Sequence, residues 1–332
     1  MVVFASDSAS FPSMRCFVVL YWAENEREFV LKKVIFAMLL IILITVTGCS
    51  RRYRVGVCLR CGESDATVQL ENILMEQFGT AEYQVRIRDA AKDQAKQNVQ
   101  IAYLLEKDYD LLIIEPVMTA ATEEIITQAK LADVPVIFVN YEPEATALER
   151  WEKAYYIGSD LTQPGRLQTE LVRQLPDGGD RNGDGSVACT VIAGPGDHVD
   201  AVRWTKDCSN GFLRLEAAHG DWTRDSGRIL CRRQLSQFGD AIEVIFCNSD
   251  ELTLGALEAL QSAEEDIYLI GIGCDAQMLE RIREGVVTGT VCPNVEGIAA
   301  CIAKTAAAVL RGEDAPKTQY LDFLIITKDT VQ

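Results

Sequence analysis

The chain has 332 residues, of which 48% are hydrophobic and 24% are charged, and its formal net charge is −17. This length favours two lobes and a targeting segment over a single core, and the composition is that of a globular protein rather than a disordered one. The acidic excess argues against nucleic acid or anionic lipid as a partner, because an acidic surface repels phosphate groups.

A secretory signal is predicted before residue 49. From Lys32 the sequence reads KKVIFAMLLIILITVTGCS, with two lysines, an apolar stretch as far as Val46 and small residues before Cys49. The final VTGC resembles the lipobox of bacterial lipoproteins, in which the signal is removed and the cysteine thiol accepts a lipid. The alternative, a transmembrane anchor, needs roughly 20 apolar residues, more than this run supplies. We therefore expect Cys49 to anchor the mature protein at the extracytoplasmic face of the bacterial cell membrane.

Residues 1–48 are accordingly assigned to an upstream extension and the lipoprotein signal peptide. The acidic residues Glu24, Glu26 and Glu28 are unlike the n-region of such a signal. Leu31 is a candidate alternative start, from which the signal begins with its two lysines.

Beyond residue 52 the sequence alternates apolar strands with helices. Strands are predicted at 53–59, at 83–87, in DLLIIEP and at 134–140, with helices near 66–79, 93–107 and 119–131. Strands that are apolar throughout and alternate with helices indicate a parallel sheet covered on both faces. This segment is therefore predicted to form a doubly wound lobe.

A second set of strands follows, again with helices between them, one of which is predicted near 200–217. These strands are predicted at 153–160, 187–194, 242–248, 267–274, 289–294 and 320–327. Open α/β sheets bind ligands beyond the carboxyl ends of their strands, so two such units indicate two half-sites that face a cleft. The predicted fold class is α/β, with two doubly wound parallel-sheet lobes.

The eleven cysteines are scattered singly through apolar segments, so we expect most of them to be buried thiols rather than a disulfide framework. Cys58 and Cys61 form the one C-x-x-C pair. No second pair and no histidine lies near it, which argues against a metal or redox site there.

The segment DRNGDGS places oxygen-bearing side chains at Asp180, Asn182, Asp184 and Ser186. Alternate oxygen ligands with a glycine at the sixth position follow the spacing of an EF-hand loop, which binds Ca²⁺. The twelfth position is Val191, which cannot act as a ligand, so a complete EF-hand is excluded. A solvated turn is the alternative for a segment of this composition.

Four segments resemble the galactose/glucose-binding family of type I periplasmic binding proteins: KDQAKQNVQIAYLLEKDYDLLII, VPVIFVNYEPEATALERWEKAYYIGSD, DRNGDGS and IEVIFCNSDELTLGALEAL. The resemblance extends from about residue 53 to the end of the chain and implies crossed lobes joined by a three-segment hinge, with crossings near 158, 293 and 324. One lobe would contain 53–158 and 294–324, and the other 159–293 and 325–332. LacI-type repressors share this fold, but no helix-turn-helix segment precedes the first lobe.

The same resemblance implies where the remaining ligands of a calcium site at this loop would come from. Glu243 stands where the family supplies a distant glutamate ligand. Ala188 stands where the family supplies an amide oxygen, so water would have to take that place. The sequence therefore predicts Ca²⁺ as a structural cofactor that stabilises the loop.

Ligand-binding residues are also implied by the resemblance. Asn140, Arg203 and Asp275 match family positions directly, and Trp222 matches the family's stacking tryptophan when one residue is gapped. Sugar sites combine planar polar side chains, which bind adjacent hydroxyls, with an aromatic face for the C–H side of the ring. These four residues would supply both.

The match after Pro-Gly can be made in two ways. Without a gap, Asp197 is placed in the cleft, whereas a shift by one residue places His198 and Asp200 there and loses the match at Arg203. We favour the ungapped match, because a guanidinium fork is the harder feature to replace.

Other positions depart from the family pattern, so a different hexose, a pentose or a related polyol fits the same reasoning as galactose or glucose. An aspartate, an aromatic residue and two asparagines are replaced, although Asn294 could substitute for the second asparagine. The replacing residues are Ser64, Ala66, Ser249 and Pro293.

Together these features predict a monomeric solute-binding lipoprotein that captures a monosaccharide by lobe closure and delivers it to the permease subunits of an ABC importer. The alternative is a sensory subunit that presents the ligand to a chemoreceptor or a sensor kinase. An enzyme is not expected, because His198 and His219 are the only histidines and no nucleophile elbow, phosphate loop or HExxH motif is present.

Overall fold

The computed structural model describes residues 52–60, 65–263 and 265–331, without the side chains of residues 65 and 66. The lipidation prediction at Cys49, the signal at 1–48, Cys61 and Ser64 lie outside the described residues. Across the described part, no helix combines the length and the apolar character that a membrane span requires.

In the described residues, six parallel strands form the first sheet, in the order β11-β5-β4-β3-β1-β2. Its strands are β1 (Tyr53–Leu59), β2 (Tyr83–Asp89), β3 (Leu111–Ile114), β4 (Val136–Val139), β5 (Ala154–Ser159) and β11 (Thr318–Leu321). The helices near this sheet in the chain are α1 (Asp65–Gln77), α2 (Gln94–Glu106), α3 (Thr122–Leu131), α4 (Ala145–Leu148) and α10 (Val295–Leu310).

The second sheet, within the same described ranges, has the order β12-β10-β9-β8-β6-β7, and only β12 runs antiparallel to its neighbour. Its strands are β6 (Ala188–Ala193), β7 (Leu213–His219), β8 (Val244–Cys247), β9 (Tyr268–Ile272), β10 (Gly289–Cys292) and β12 (Leu324–Thr327). The helices that precede or separate these strands in the chain are α5 (Pro164–Arg173), α6 (Val199–Asp207), α7 (Arg224–Phe238), α8 (Asp250–Ala263) and α9 (Ala276–Glu284). The predicted α/β fold with two doubly wound lobes is confirmed.

The chain passes between the two sheets after β5, after β10 and after β11. The segment predicted as one strand over 320–327 is therefore two strands in different sheets, with Phe323 between them. An apolar run carries no sign that the chain changes sheet within it. Likewise β5, which the pattern groups with the second set, pairs with β4 in the first sheet.

The helix predicted over 200–217 is wrong in its second half. Helix α6 ends at Asp207, and β7 follows as an edge strand that pairs on one side with β6. Most residues of β7 are exposed or half-buried. An edge strand of this kind lacks the continuous apolar run by which the central strands are predicted.

Burial on both faces explains why the central strands are apolar throughout. All four residues of β3 are buried. Leu111 and Ile113 join one core cluster, whereas Leu112 and Ile114 join the cluster on the other face. Successive side chains of a strand point to opposite faces, so a sheet covered by helices on both sides needs an apolar residue at each position.

Most described cysteines are buried thiols, as expected. Cys58, Cys189, Cys208, Cys231 and Cys247 are buried and unpaired, and burial raises the pKa of the Cys58 thiol to about 12. One disulfide, which the sequence analysis did not anticipate, joins Cys274 to Cys292 at the ends of β9 and β10.

Candidate ligand-binding cleft

A cavity of about 960 Å³ lies between the two lobes, and residues of both line it. Glu115 and Asn140 follow the carboxyl ends of β3 and β4, and Arg203 comes from α6 of the second lobe. Phe323, at the crossing between β11 and β12, also lines the cavity. The cavity therefore lies where parallel α/β sheets bind their ligands.

A buried carboxylate and an amide form the polar centre of the first-lobe wall. Glu115 is 4% exposed. Its Oε1 accepts a hydrogen bond of 2.9 Å from the Nδ2 of Asn140, and its Oε2 accepts one of 3.0 Å from the backbone N–H of Arg60. A carboxylate has about four acceptor sites, so both oxygens keep capacity for a ligand hydroxyl.

Backbone geometry holds this pair in place. Asn140 has a φ of 61°, in the left-handed region that Asn tolerates better than most residues. Its carbonyl accepts a hydrogen bond of 3.2 Å from the Tyr156 hydroxyl. The carbonyl of Glu115 accepts one of 2.8 Å from the buried Gln97 amide. The sequence analysis missed Glu115, although a charged residue directly after LLII and before proline was a usable signal.

Tyr141 lies beside this pair, and charged groups of both lobes affect the pKa of its hydroxyl. The Arg60 guanidinium carbon lies 5.1 Å from the centroid of the tyrosine ring. Burial raises the pKa of the Tyr141 hydroxyl, Arg60 opposes that rise, and the carboxylates of Glu115 and Asp200 add to it. Because Asp200 belongs to the second lobe, the hydroxyl stands near groups from both sides of the cleft and stays protonated.

On the second-lobe side, Arg203 presents a side chain that is 40% exposed, and its nearest carboxylate is Asp200 in the same helix, at 4.0 Å. Asp197 and His198 precede the body of α6 and also line the cavity. The structure therefore brings to the cleft Asp197 of the ungapped match and both residues of the shifted match.

Three predicted ligand residues are not among those that line this cavity, namely Trp222, Ser249 and Asp275. The Ser249 hydroxyl accepts a hydrogen bond of 3.2 Å from the N–H of Leu252, and Asp275 accepts one of 2.7 Å from the N–H of Met278. Both side chains thus cap helices, which leave their first N–H groups unpaired. Their contact with a ligand stays a prediction.

A buried acid lies behind the loop that carries Asp275. Asp250 accepts a hydrogen bond of 3.2 Å from the N–H of Asp275. Its Oδ1 is buried and has no hydrogen-bond partner among the described residues. Burial raises the pKa of Asp250 to about 8, and repulsion from Asp275 adds to the rise. This group was also missed by the sequence analysis, because its burial depends on packing between β8 and β9.

The predicted calcium loop is held together by its own backbone. Asp180 accepts hydrogen bonds from the N–H groups of Gly183 at 2.8 Å and Gly185 at 2.9 Å. Asn182 accepts one from the N–H of Asp184 at 2.8 Å, and Asp184 accepts one from the N–H of Ser186 at 2.9 Å. These contacts give the segment the hydrogen-bonding pattern of successive Asx turns.

Glu243 is 3% exposed and faces the same loop. Its Oε1 accepts hydrogen bonds from the N–H groups of Arg181 at 2.7 Å and Asn182 at 3.1 Å, and its Oε2 accepts one from Ala188 at 2.8 Å. Among the described residues, no three His, Cys, Asp or Glu side chains come together as metal ligands. Calcium binding at this loop stays a prediction.

Comparison with known proteins decides the family. The sequence profile described as periplasmic binding protein domain matches residues 56–314, which is most of the chain. The chain belongs to this family. This periplasmic binding protein is accordingly a solute-binding protein and not an enzyme, as the sequence predicted.

Individual relatives agree with that assignment. A D-galactose/methyl-galactoside binding periplasmic protein of Haemophilus influenzae is 30% identical over 217 residues, which cover 62% of this chain and 65%, just under two thirds, of that relative. A ribose import binding protein of Bacillus subtilis is 23% identical over 306 residues, 87% of this chain and 96% of that one.

Solved structures agree in fold. An ABC transporter solute binding protein from Bacillus halodurans with bound myo-inositol is 22% identical and has a TM-score of 0.67. The similarity covers 86% of this chain and 98% of that one. At this level of identity, the likeness shows the shared two-lobed fold.

Proposed function

We propose that this periplasmic binding protein captures a galactose- or glucose-like monosaccharide by lobe closure and delivers it to an ABC importer. It would act as a monomer at the extracytoplasmic face of the membrane, anchored through a lipid on Cys49. The relatives described above include a galactose binder, a ribose binder and a fold neighbour with bound myo-inositol, all of which take small polyhydroxylated ligands.

The observation that carries the proposal is the buried Glu115–Asn140 pair in a cavity whose other wall presents Arg203. A sugar hydroxyl both donates and accepts, so carboxylate, amide and guanidinium groups together suit adjacent hydroxyls. Glu115 contributes an acceptor, Asn140 an amide and Arg203 a fork of donors. Mixed groups of this kind favour a neutral polyol over an apolar ligand.

Lobe closure would make these groups selective. When water is excluded, each polar group must bind the ligand or remain unpaired, at a cost of about 1 to 3 kcal/mol. A ligand with the wrong hydroxyl pattern therefore loses affinity at each mismatched group. Asp275 and Ser249 lie outside the described cavity and would reach the ligand only in the closed state.

Calorimetry on the purified protein with a panel of hexoses, pentoses and cyclitols tests the function. Glu115→Gln keeps the side-chain shape but removes the charged acceptor, so we expect it to cost about 1.5 to 3 kcal/mol of binding to the best ligand. Glu149→Gln, at an exposed position, is the matched control and should bind like the wild type. The proposal is refuted when the wild type binds no member of the panel.

A further inference from the structure

The Cys274–Cys292 disulfide lies beside one of the segments that connect the two lobes. Cys292 is the last residue of β10, and only Pro293 and Asn294 separate it from Val295, the first residue of α10. Val295 belongs to a core cluster of the first lobe, and it lines the cavity together with Pro293. The disulfide therefore fixes the second-lobe end of the crossing that follows β10.

A small apolar cluster next to the disulfide contains residues from all three crossings. Its buried members are Ile272, Val291 and Phe323, and Leu161 packs against them. Leu161 lies in the first crossing, after β5, and Phe323 lies in the third, between β11 and β12. Ile272 and Val291 are partners in the pairing of β9 with β10, at the strand ends that the disulfide joins. The covalent bond is thus placed where the connecting segments meet.

Cys274 lies in the loop between β9 and α9, directly before the predicted ligand residue Asp275. The N–H of Gly273 donates a hydrogen bond of 2.9 Å to the carbonyl of Val291. The hydroxyl of Thr290 donates one of 2.7 Å to the carbonyl of Gly273. These bonds connect the start of the loop to β10, and the disulfide adds a covalent link at the next residue.

The loop has few other polar contacts that would hold Asp275 in place. Its N–H donates a hydrogen bond of 3.2 Å to the carboxylate of Asp250 in α8. Gly273 has a φ of 120°, and a Cβ added to it would collide with that carboxylate. A glycine leaves the backbone many alternative conformations, so a crosslink at the next residue removes freedom that the loop would otherwise keep.

We propose that the Cys274–Cys292 disulfide positions the ligand loop of the second lobe, and that its reduction weakens ligand binding. The bond holds the loop of Asp275 against the end of β10 and the adjoining crossing, so the binding-competent arrangement is formed before the ligand arrives. A protein whose competent arrangement is only partly populated binds with an affinity reduced by that fraction. This inference rests on the proposed function and adds a redox dependence to it.

Reduction requires an external dithiol, and Cys274 is the more accessible partner for it. Cys274 is half-buried, whereas Cys292 is 7% exposed. A thiolate of the dithiol attacks the sulfur of Cys274, and Cys292 leaves as a thiolate that takes up a proton. The second thiol of the reagent then displaces Cys274 from the mixed disulfide. The two cysteines gain two electrons and two protons, and the reagent closes to a cyclic disulfide.

Calorimetry on the full-length protein, oxidised and after treatment with dithiothreitol, measures the effect on binding. The probes are galactose, glucose, ribose and myo-inositol, and the one with the lowest Kd is used throughout. We expect reduction of the wild type to raise the Kd by about three- to tenfold, and reoxidation to restore it. Cys274→Ser/Cys292→Ser should bind like the reduced wild type in both buffers.

The matched control is Cys231→Ala, which removes a buried thiol of the same lobe that does not line the cavity. It should keep the wild-type Kd and its dependence on the reductant when both proteins are measured well below their Tm. A redox-dependent Kd that persists in Cys274→Ser/Cys292→Ser would assign the effect to other cysteines. The proposal would then be wrong, while the proposed function would stand.

A reciprocal measurement separates positioning of the ligand loop from a purely structural role. If the oxidised form binds the ligand more tightly by a given factor, the ligand must oppose reduction by the same factor. In a buffer of reduced and oxidised dithiothreitol, saturating ligand should lower the reduction potential of the pair by about 30 mV for each tenfold difference in Kd. Equal Kd values for the oxidised and reduced wild type, with an unchanged potential, would overturn the proposal.

Hydrogen exchange tests the positioning role without any ligand, so it decides the matter even when the wild type binds no polyol and the proposed function fails. After reduction of the wild type, the peptide that contains Gly273 and Asp275 should exchange faster, because the N–H groups of these residues lose their fixed acceptors. Peptides from the buried strand β8 should keep their protection. Unchanged exchange of the loop peptide in fully reduced protein would refute the positioning role.

Discussion

Glu243 allows a quantitative test of how the DRNGDGS loop is held. Its carboxylate accepts three backbone hydrogen bonds, two at Oε1 and one at Oε2, while it is 3% exposed. In Glu243→Gln, the amide oxygen can still accept the two hydrogen bonds made at Oε1, but as a neutral acceptor it binds each about 1 kcal/mol more weakly. The amide NH₂ replaces Oε2 and cannot accept the hydrogen bond from the N–H of Ala188. That donor is then unpaired, at about 1 to 3 kcal/mol. The sum predicts a loss of about 3 to 5 kcal/mol in the free energy of unfolding.

The assay is thermal melting of wild type and Glu243→Gln in EDTA and in excess calcium, with the exposed Glu258→Gln as the matched control. We expect Glu243→Gln to lower the Tm by at least about 6 °C in both buffers. The wild-type Tm should fall in EDTA and recover with calcium, because an ion that binds only the folded loop stabilises the folded state. A wild-type Tm that is the same in both buffers would contradict the calcium site that the sequence predicts.

Three further predictions concern other parts of the molecule. The pKa of Asp250 is raised to about 8, so its protonated form favours the folded state, and its contribution to stability is lost as the pH rises through that value. Asp250→Asn should therefore flatten the fall of Tm between about pH 4 and pH 8, and an unchanged profile would contradict the raised pKa. The Cys274–Cys292 disulfide closes a loop of sequence separation 18, so Cys274→Ser/Cys292→Ser should lose about 3 kcal/mol in urea unfolding and become insensitive to reductant. The buried-thiol variant Cys231→Ala keeps the disulfide and should lose stability in reductant as the wild type does. Cys49→Ser should move the protein from the membrane to the soluble fraction or leave the signal uncleaved, and an unchanged membrane fraction would indicate a different anchor.

The sequence by itself determined the fold class and the positions of the buried strands. The run LLII of β3 is apolar because its alternate residues enter two cores, one on each face of the sheet, and that requirement is visible in the sequence alone. The resemblance to the galactose/glucose-binding family, rather than this pattern, indicated Asn140 and Arg203, and both line the cleft. The edge strand β7 was not predicted, because most of its residues are exposed or half-buried and it lacks the continuous apolar run that indicates a central strand.

Only the tertiary structure decided which side chains meet. Glu115 and Asn140 are separated by 25 positions and form a pair because β3 and β4 are neighbours in the sheet. Cys274 joins Cys292 because β9 and β10 are neighbours too. Conversely, Asp275 sits at a strand end as predicted, yet its carboxylate caps a helix, because the nearest unpaired N–H group lies three residues away. Contacts of this kind depend on strand order and on competition between local donors, neither of which a single sequence states.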